Sequence, residues 1–126
     1  MDEISEKISD SELEIMQLLW HSPRALPLSE IRKSLQNSVG WEATTIKTLL
    51  QRLVSKNAVL QEKREVFYYS PLVGEEDYSS WATAKLVKRL YHGRARDLVA
   101  ALVSSEDLTK GDIDALREMF KMEDEA

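Results

Sequence analysis

Between Ala43 and Ser55, the side chains Thr44, Lys47, Thr48, Gln51, Arg52 and Ser55 recur at the spacing of one helical face, and none of them is acidic. Thr45 adjoins that face. Hydroxyls, an amide and two cations on one ridge suit the phosphate oxygens, base-edge acceptors and thymine methyls of a DNA duplex. A merely solvated helix face is the plain alternative. Two further cations, Lys63 and Arg64, lie between two β-prone runs, where they suit phosphate contact or simply keep a turn wet. Arg32 and Lys33 are weaker candidates of the same kind.

Other chemistry is poorly provided for. The chain has no cysteine, which excludes disulfides, thiolate nucleophiles, iron-sulfur clusters and Cys-based metal sites. Its two histidines, His21 and His92, have no H-x-x-x-H spacing and read as loop and helix-end residues. The acid pairs Glu75-Glu76 and Asp112-Asp114 have no histidine, glycine-rich phosphate loop or nucleophile beside them, and read as helix-start charges. The expectation is therefore no catalytic residue, no metal, no cofactor and no small-molecule substrate.

The elements that must position the ridge follow from local signals. Ser9-Asp10-Ser11-Glu12 has the form of a capping box, with Ile8 and Leu13 as its staple, and opens a helix running to about Trp20 with Leu13, Met16 and Trp20 inward. His21 to Pro27 reads as a loop, with Pro27 at the first position of a second helix that buries Leu28, Ile31 and Leu35. Asn37-Ser38-Val39-Gly40 breaks it. A third helix begins near Trp41 or Glu42, packs Ala43, Ile46, Leu49, Leu50, Leu53 and Val54, and ends at Lys56-Asn57, where Asn accepts a left-handed backbone. Trp41 could lie near DNA, but reads first as a core or interface anchor, like Trp20 and Trp81. Val59-Leu60-Gln61 and Val66 to Ser70 form a short hairpin around Glu62-Lys63-Arg64-Glu65, ended by Pro71. Three helices and a basic hairpin are the order of a winged helix-turn-helix.

From Gly74 the pattern is wholly helical. Tyr78, Trp81, Ala82, Leu86 and Leu90 mark a long helix stopping at His92-Gly93, and Leu98, Val99, Leu102 and Val103 mark a shorter one. Thr109 to Asp112, flanked by Leu108 and Ile113, opens a last helix that buries Ile113, Leu116 and Phe120, and Met122 onward reads as a frayed acidic tail. Fifty-odd residues with that much apolar surface and no disulfide are difficult to close alone, so the segment is expected to dimerise through Trp81, Leu86, Leu90, Leu98, Leu102, Ile113, Leu116 and Phe120. The division falls near residues 71–76, giving a DNA-binding domain over 1–72 and a dimerisation domain over 73–126. The fold class expected is mostly α.

Charge agrees with this order. The whole chain carries −5, but Ile31 to Arg64 holds seven basic residues against two acidic, a local +5. The composition is that of a globular chain, no apolar run is long enough to span a membrane, and Met1-Asp2-Glu3 is unlike a signal peptide's basic start. A cytoplasmic, non-membrane-embedded protein is expected.

Ile8-Ser9-Asp10 through Trp20, Ala43-Thr44-Thr45-Ile46-Lys47-Thr48-Leu49-Leu50-Gln51-Arg52-Leu53 and Tyr68-Tyr69-Ser70-Pro71-Leu72 together resemble the BlaI/MecI/CopY family of repressors. The likeness continues weakly through Thr83-Ala84-Lys85, Leu90 to Gly93 and Leu116-Arg117. It implies a winged helix whose third helix enters the major groove, and a helical region that makes a homodimer. Copper-responsive members carry a C-terminal CxCxxxxCxC motif, which a chain without cysteine lacks. In β-lactam-responsive members, a membrane sensor triggers cleavage at an Asn-Phe bond of the dimerisation region. The matching place here is Ala101-Leu102, a candidate cleavage region that departs from that pattern. The reading is a sequence-specific repressor acting as a homodimer on an inverted-repeat operator of a resistance or stress operon, with a regulatory membrane sensor protease as a further partner. A winged-helix module for protein-protein association is the rival.

Overall fold

The computed structural model of the chain describes residues 8–125. The acidic start Met1-Asp2-Glu3 lies outside them. The described residues group into two compact units that divide after Ala82.

In the first unit, α1 (Asp10–Trp20) starts on the expected capping box. The Glu12 amide donates to Ser9 Oγ at 3.2 Å, and the Ser9 amide donates to Glu12 Oε1 at 2.9 Å. Two of the helix's orphan donors are thereby satisfied, which contributes about 1 kcal/mol. Ile8 is buried just before the cap. The inward stripe differs in detail from the expected one: Ile15, Met16 and Leu19 are fully buried, while Leu13 and Trp20 only flank the core.

The loop expected between His21 and Pro27 contains a third strand. β1 (Leu26–Pro27) pairs antiparallel with β3 (Phe67–Pro71), Leu26 opposite Tyr69 and Pro27 opposite Tyr68. Proline, which has no amide to donate, is tolerated on this edge strand. Pro27 is also the N-cap of α2 (Leu28–Ser38), so the helix begins one residue later than expected. The wing is consequently part of a three-stranded sheet in the order β1-β3-β2, with β2 spanning Val59–Lys63. The strands differ from those expected: Glu62 and Lys63 belong to β2, Val66 lies in the turn instead of opening β3, and Pro71 pairs with Val59 instead of ending the hairpin.

α3 (Ala43–Ser55) buries Ile46, Leu49, Leu50 and Leu53 against Ile15, Leu19, Ile31 and Leu35. Each such side chain contributes roughly 1.5–3 kcal/mol when fully buried. Glu42 is its N-cap, and Asn57 takes the expected left-handed turn at φ 62°. Tyr69 and Val59 close the core from the sheet. The Trp20 indole donates from Nε1 to the Val73 carbonyl at 2.7 Å, and its ring meets Tyr78 at 5.7 Å between centroids. Tyr78 in turn meets Trp81 at 5.8 Å. These contacts tie the first turns of α4 (Glu75–Tyr91) into the first unit.

The second unit holds the end of α4, α5 (Ala95–Ser104) and α6 (Lys110–Glu125). α4 stops where expected, with His92 as well as Gly93 left-handed at φ 54° and 84°. Thr109 and Asp112 make a reciprocal cap, each amide donating to the other's side chain at 3.0 Å. The expected frayed tail is instead helical through Glu125. Among the described residues of this unit no side chain is fully buried. Leu86, Leu98, Ile113 and Leu116 are half-buried, whereas Leu90, Leu102 and Phe120 are exposed.

Candidate nucleic-acid interface

The predicted ridge exists as one exposed helical face. Thr44, Thr45, Lys47, Thr48, Gln51 and Arg52 are all solvent-exposed on α3, opposite the buried Ile46, Leu50 and Leu53. The separation follows from the 3.6-residue period, since apolar groups at one phase leave the polar ones at the other. Thr44, Thr45, Thr48 and Arg52 share one shallow depression. Thr48 Oγ1 donates to the Thr44 carbonyl at 2.9 Å, so its proton is used within the helix and its lone pairs are what it presents outward. Neither Lys47 nor Arg52 is paired with a carboxylate among the described residues.

The ridge is braced at its far end. Lys56, the C-cap of α3, donates from Nζ to both carboxylate oxygens of Glu12, at 2.6 and 2.8 Å. Glu12 is only 1% exposed. Burial by itself raises the carboxyl's pKa, but the bonds from Lys56 and from the Ser9 backbone and hydroxyl outweigh it and leave the value below the ordinary range. One carboxylate thus caps α1 and anchors α3. Sequence reasoning missed the second role because the cap alone accounted for Glu12.

The hairpin displays its two cations on opposite faces. Lys63 pairs across the ladder with Phe67 and lies over that ring at 4.7 Å. Glu62 pairs with Tyr68, and the Arg64 guanidinium lies over the Tyr68 ring at 4.5 Å. Arg64 also donates to Glu62 Oε1 from Nε at 3.1 Å and from Nη2 at 2.8 Å. Lys63 is therefore open to an anion, while Arg64 already holds one. The alternation of a strand signals this, but only once the register is known.

Arg32 and Lys33 are exposed on α2, and Trp41 is half-buried against the core. Ala101 and Leu102 lie within α5, half-buried and exposed respectively. Among the described residues no cluster of three His, Asp or Glu side chains could hold a metal ion, and no helix is long and apolar enough to cross a membrane.

Comparison with known proteins gives this geometry a context. Residues 8–122 match the family model described as penicillinase repressor. The penicillinase repressor of Bacillus licheniformis is 32% identical over 117 residues, covering 91% of this chain and 90% of its own length. The methicillin resistance regulatory protein MecI of Staphylococcus aureus (strain N315) is 31% identical over 121 residues, covering 95% and 98%. Among solved structures, the solution structure of the DNA-binding domain of the repressor BlaI matches with a TM-score of 0.53 and 38% identity, over 57% of this chain and 88% of that one. The monomeric form of Bacillus licheniformis BlaI in complex with the blaP half-operator matches over the same shares at 0.51 and 38%. The expected likeness and the winged-helix class are thus borne out, and the chain belongs to the penicillinase repressor family, whose members are transcriptional repressors and not enzymes.

Proposed function

We propose that the chain is a sequence-specific DNA-binding repressor that acts in the cytoplasm, as a homodimer, on an inverted-repeat operator of a resistance or stress operon. The observation that carries this reading is the exposed α3 face with Lys47 and Arg52 unpaired among the described residues. A related BlaI has been solved on its half-operator, and 38% identity over that region supports the same use of the reader helix here. Residues 1–72 form the DNA-binding part. Lys47 reads base acceptors, with Thr44, Thr45, Thr48 and Gln51 beside it, and Arg52, Arg32 and Lys63 serve the phosphates, with Arg64 joining them where it releases Glu62.

Residues 73–126 form the dimer. Trp81, Leu86, Leu90, Leu98, Leu102, Ile113, Leu116 and Phe120 supply its apolar surface, and Phe120, 63% exposed in the single chain, is the largest side chain so displayed. Exposed apolar area on this scale marks an association surface. Relief of repression by a membrane sensor protease would act at Ala101-Leu102, where a turn of α5 must first unwind to fit a protease.

Fluorescence anisotropy with a labelled palindromic promoter duplex, competed by random duplex, tests the reading. Lys47→Ala should weaken binding and relax sequence preference, whereas Arg52→Ala should weaken all sequences alike. Affinity should fall by about 0.9 log unit per log unit of salt for each phosphate neutralised. Isotherms unchanged in both variants, or promoter and random duplex competing equally, would refute it. The second outcome, combined with capture of an acidic protein, is what the association-module rival requires.

A further inference from the structure

Beyond the DNA-facing ridge, the first unit contains a cleft of about 440 Å³ between α2 and the hairpin. That volume is within the range of small-ligand sites. Its walls are largely apolar: Leu28 from α2, and Val66, Phe67 and Tyr69 from the hairpin and β3. Phe67 is 40% exposed although it is aromatic and borders a sheet, so a large apolar area faces the opening uncovered. Two cations flank it from different elements, Arg32 on α2 and Lys63 on β2. Neither is ion-paired with any described residue, and Lys63 is held over the Phe67 ring. Glu65 at the rim is the only carboxylate lining the cleft.

We infer that this cleft binds a small aromatic monocarboxylate, its ring between Leu28, Val66 and Phe67 and its carboxylate between Arg32 and Lys63. Apolar walls alone favour any oily molecule. The unpaired cations select an acid, because a carboxylate gains charge-assisted hydrogen bonds from Arg and Lys that an amide or alcohol does not. Glu65 disfavours a second negative charge on the ligand. Such an acid also opposes DNA. On the reading proposed above, Arg32 and Lys63 serve phosphates, so acid and duplex compete for the same two cations and each weakens the other by the same factor. The acid is then an inducer.

The test uses the full chain and 3-phenylpropionate, with 3-phenylpropanamide as its neutral counterpart. In a two-dimensional amide NMR titration, the acid should give saturable shifts confined to residues 28–32 and 63–69. It should bind at least five-fold tighter than the amide, and Arg32→Gln should weaken it at least five-fold without altering the amide's affinity. In a parallel anisotropy titration, saturating acid should raise the apparent Kd of the promoter duplex several-fold. The cleft site is overturned if shifts do not saturate, if they centre on residues 86–120, or if acid and amide bind equally. An unchanged duplex Kd at saturating acid overturns the competition. Failure of the DNA reading would show separately, as equal affinity for promoter and random duplex in the absence of any acid.

Discussion

Replacing Glu12 should loosen the reader helix at its C-terminal end. The carboxylate is buried and accepts from Lys56 Nζ at 2.6 and 2.8 Å, while its capping bond from the Ser9 amide is a separate contribution. Breaking a buried pair typically costs about 3–5 kcal/mol. Lys56 retains 27% side-chain exposure, so part of its charge stays hydrated and the cost here falls to about 2 kcal/mol. Glu12→Gln keeps a side chain able to accept from Ser9 and isolates that figure. Glu12→Ala also loses half the capping box and should cost about 3 kcal/mol. With an m value of about 1.5 kcal/mol/M, the Glu12→Gln urea midpoint should fall by about 1.3 M, followed by tryptophan fluorescence. Lys56→Met should cost as much, because it strands the carboxylate, and Glu12→Met combined with Lys56→Met should recover the part due to the pair, leaving a loss of about 1 kcal/mol from the cap.

The pH dependence has a definite sign. Glu12's folded pKa is lowered, so its stabilisation is complete above the ordinary carboxylate pKa of about 4.3 and is lost as pH falls through the lowered folded value. The gap between wild type and Glu12→Gln should therefore be constant from about pH 6 to 8 and shrink on acidification. A Glu12→Gln loss below about 0.5 kcal/mol, the level of an exposed pair, would refute the reasoning.

Three further outcomes are expected. Glu62→Gln frees Arg64 from its 2.8 Å partner, so duplex affinity should rise at low salt and the log-log salt slope should steepen by about 0.9; an unchanged slope means that Arg64 does not reach phosphate. Trp20→Phe removes the 2.7 Å bond to the Val73 carbonyl and should cost about 1 kcal/mol in urea unfolding, with no effect on duplex binding at saturating protein stability. Phe120→Glu places a charge on the proposed dimer surface and should convert the protein to a monomer in sedimentation, lowering operator affinity by an order of magnitude or more, whereas an unaltered dimer would move the interface elsewhere.

Much of the architecture was legible because its signals are local. Caps at Ser9 and Thr109, the helix stops at Asn57 and Gly93, and the two phases of α3 each depend on residues within about four positions of one another. The exposed ridge followed from the same periodicity, since burying Ile46, Leu50 and Leu53 turns Thr44, Lys47 and Thr48 outward. The strand at Leu26–Pro27 was not legible, because two residues show no alternation and proline there imitates a helix start.

The sequence by itself determined the order of helices, the basic reader segment and the apolar excess of the C-terminal helices. Only the tertiary structure decided which charges are free. Glu12 meets Lys56 across 44 residues and Trp20 meets Val73 across 53, separations over which no periodicity operates and only the folded path of the chain brings groups together. The pairing of β2 with β3 likewise divides two neighbouring cations, Arg64 neutralised by Glu62 over Tyr68 and Lys63 left open above Phe67, because Phe67 and Tyr68, adjacent on β3, face opposite sides of the sheet and the register chooses their partners.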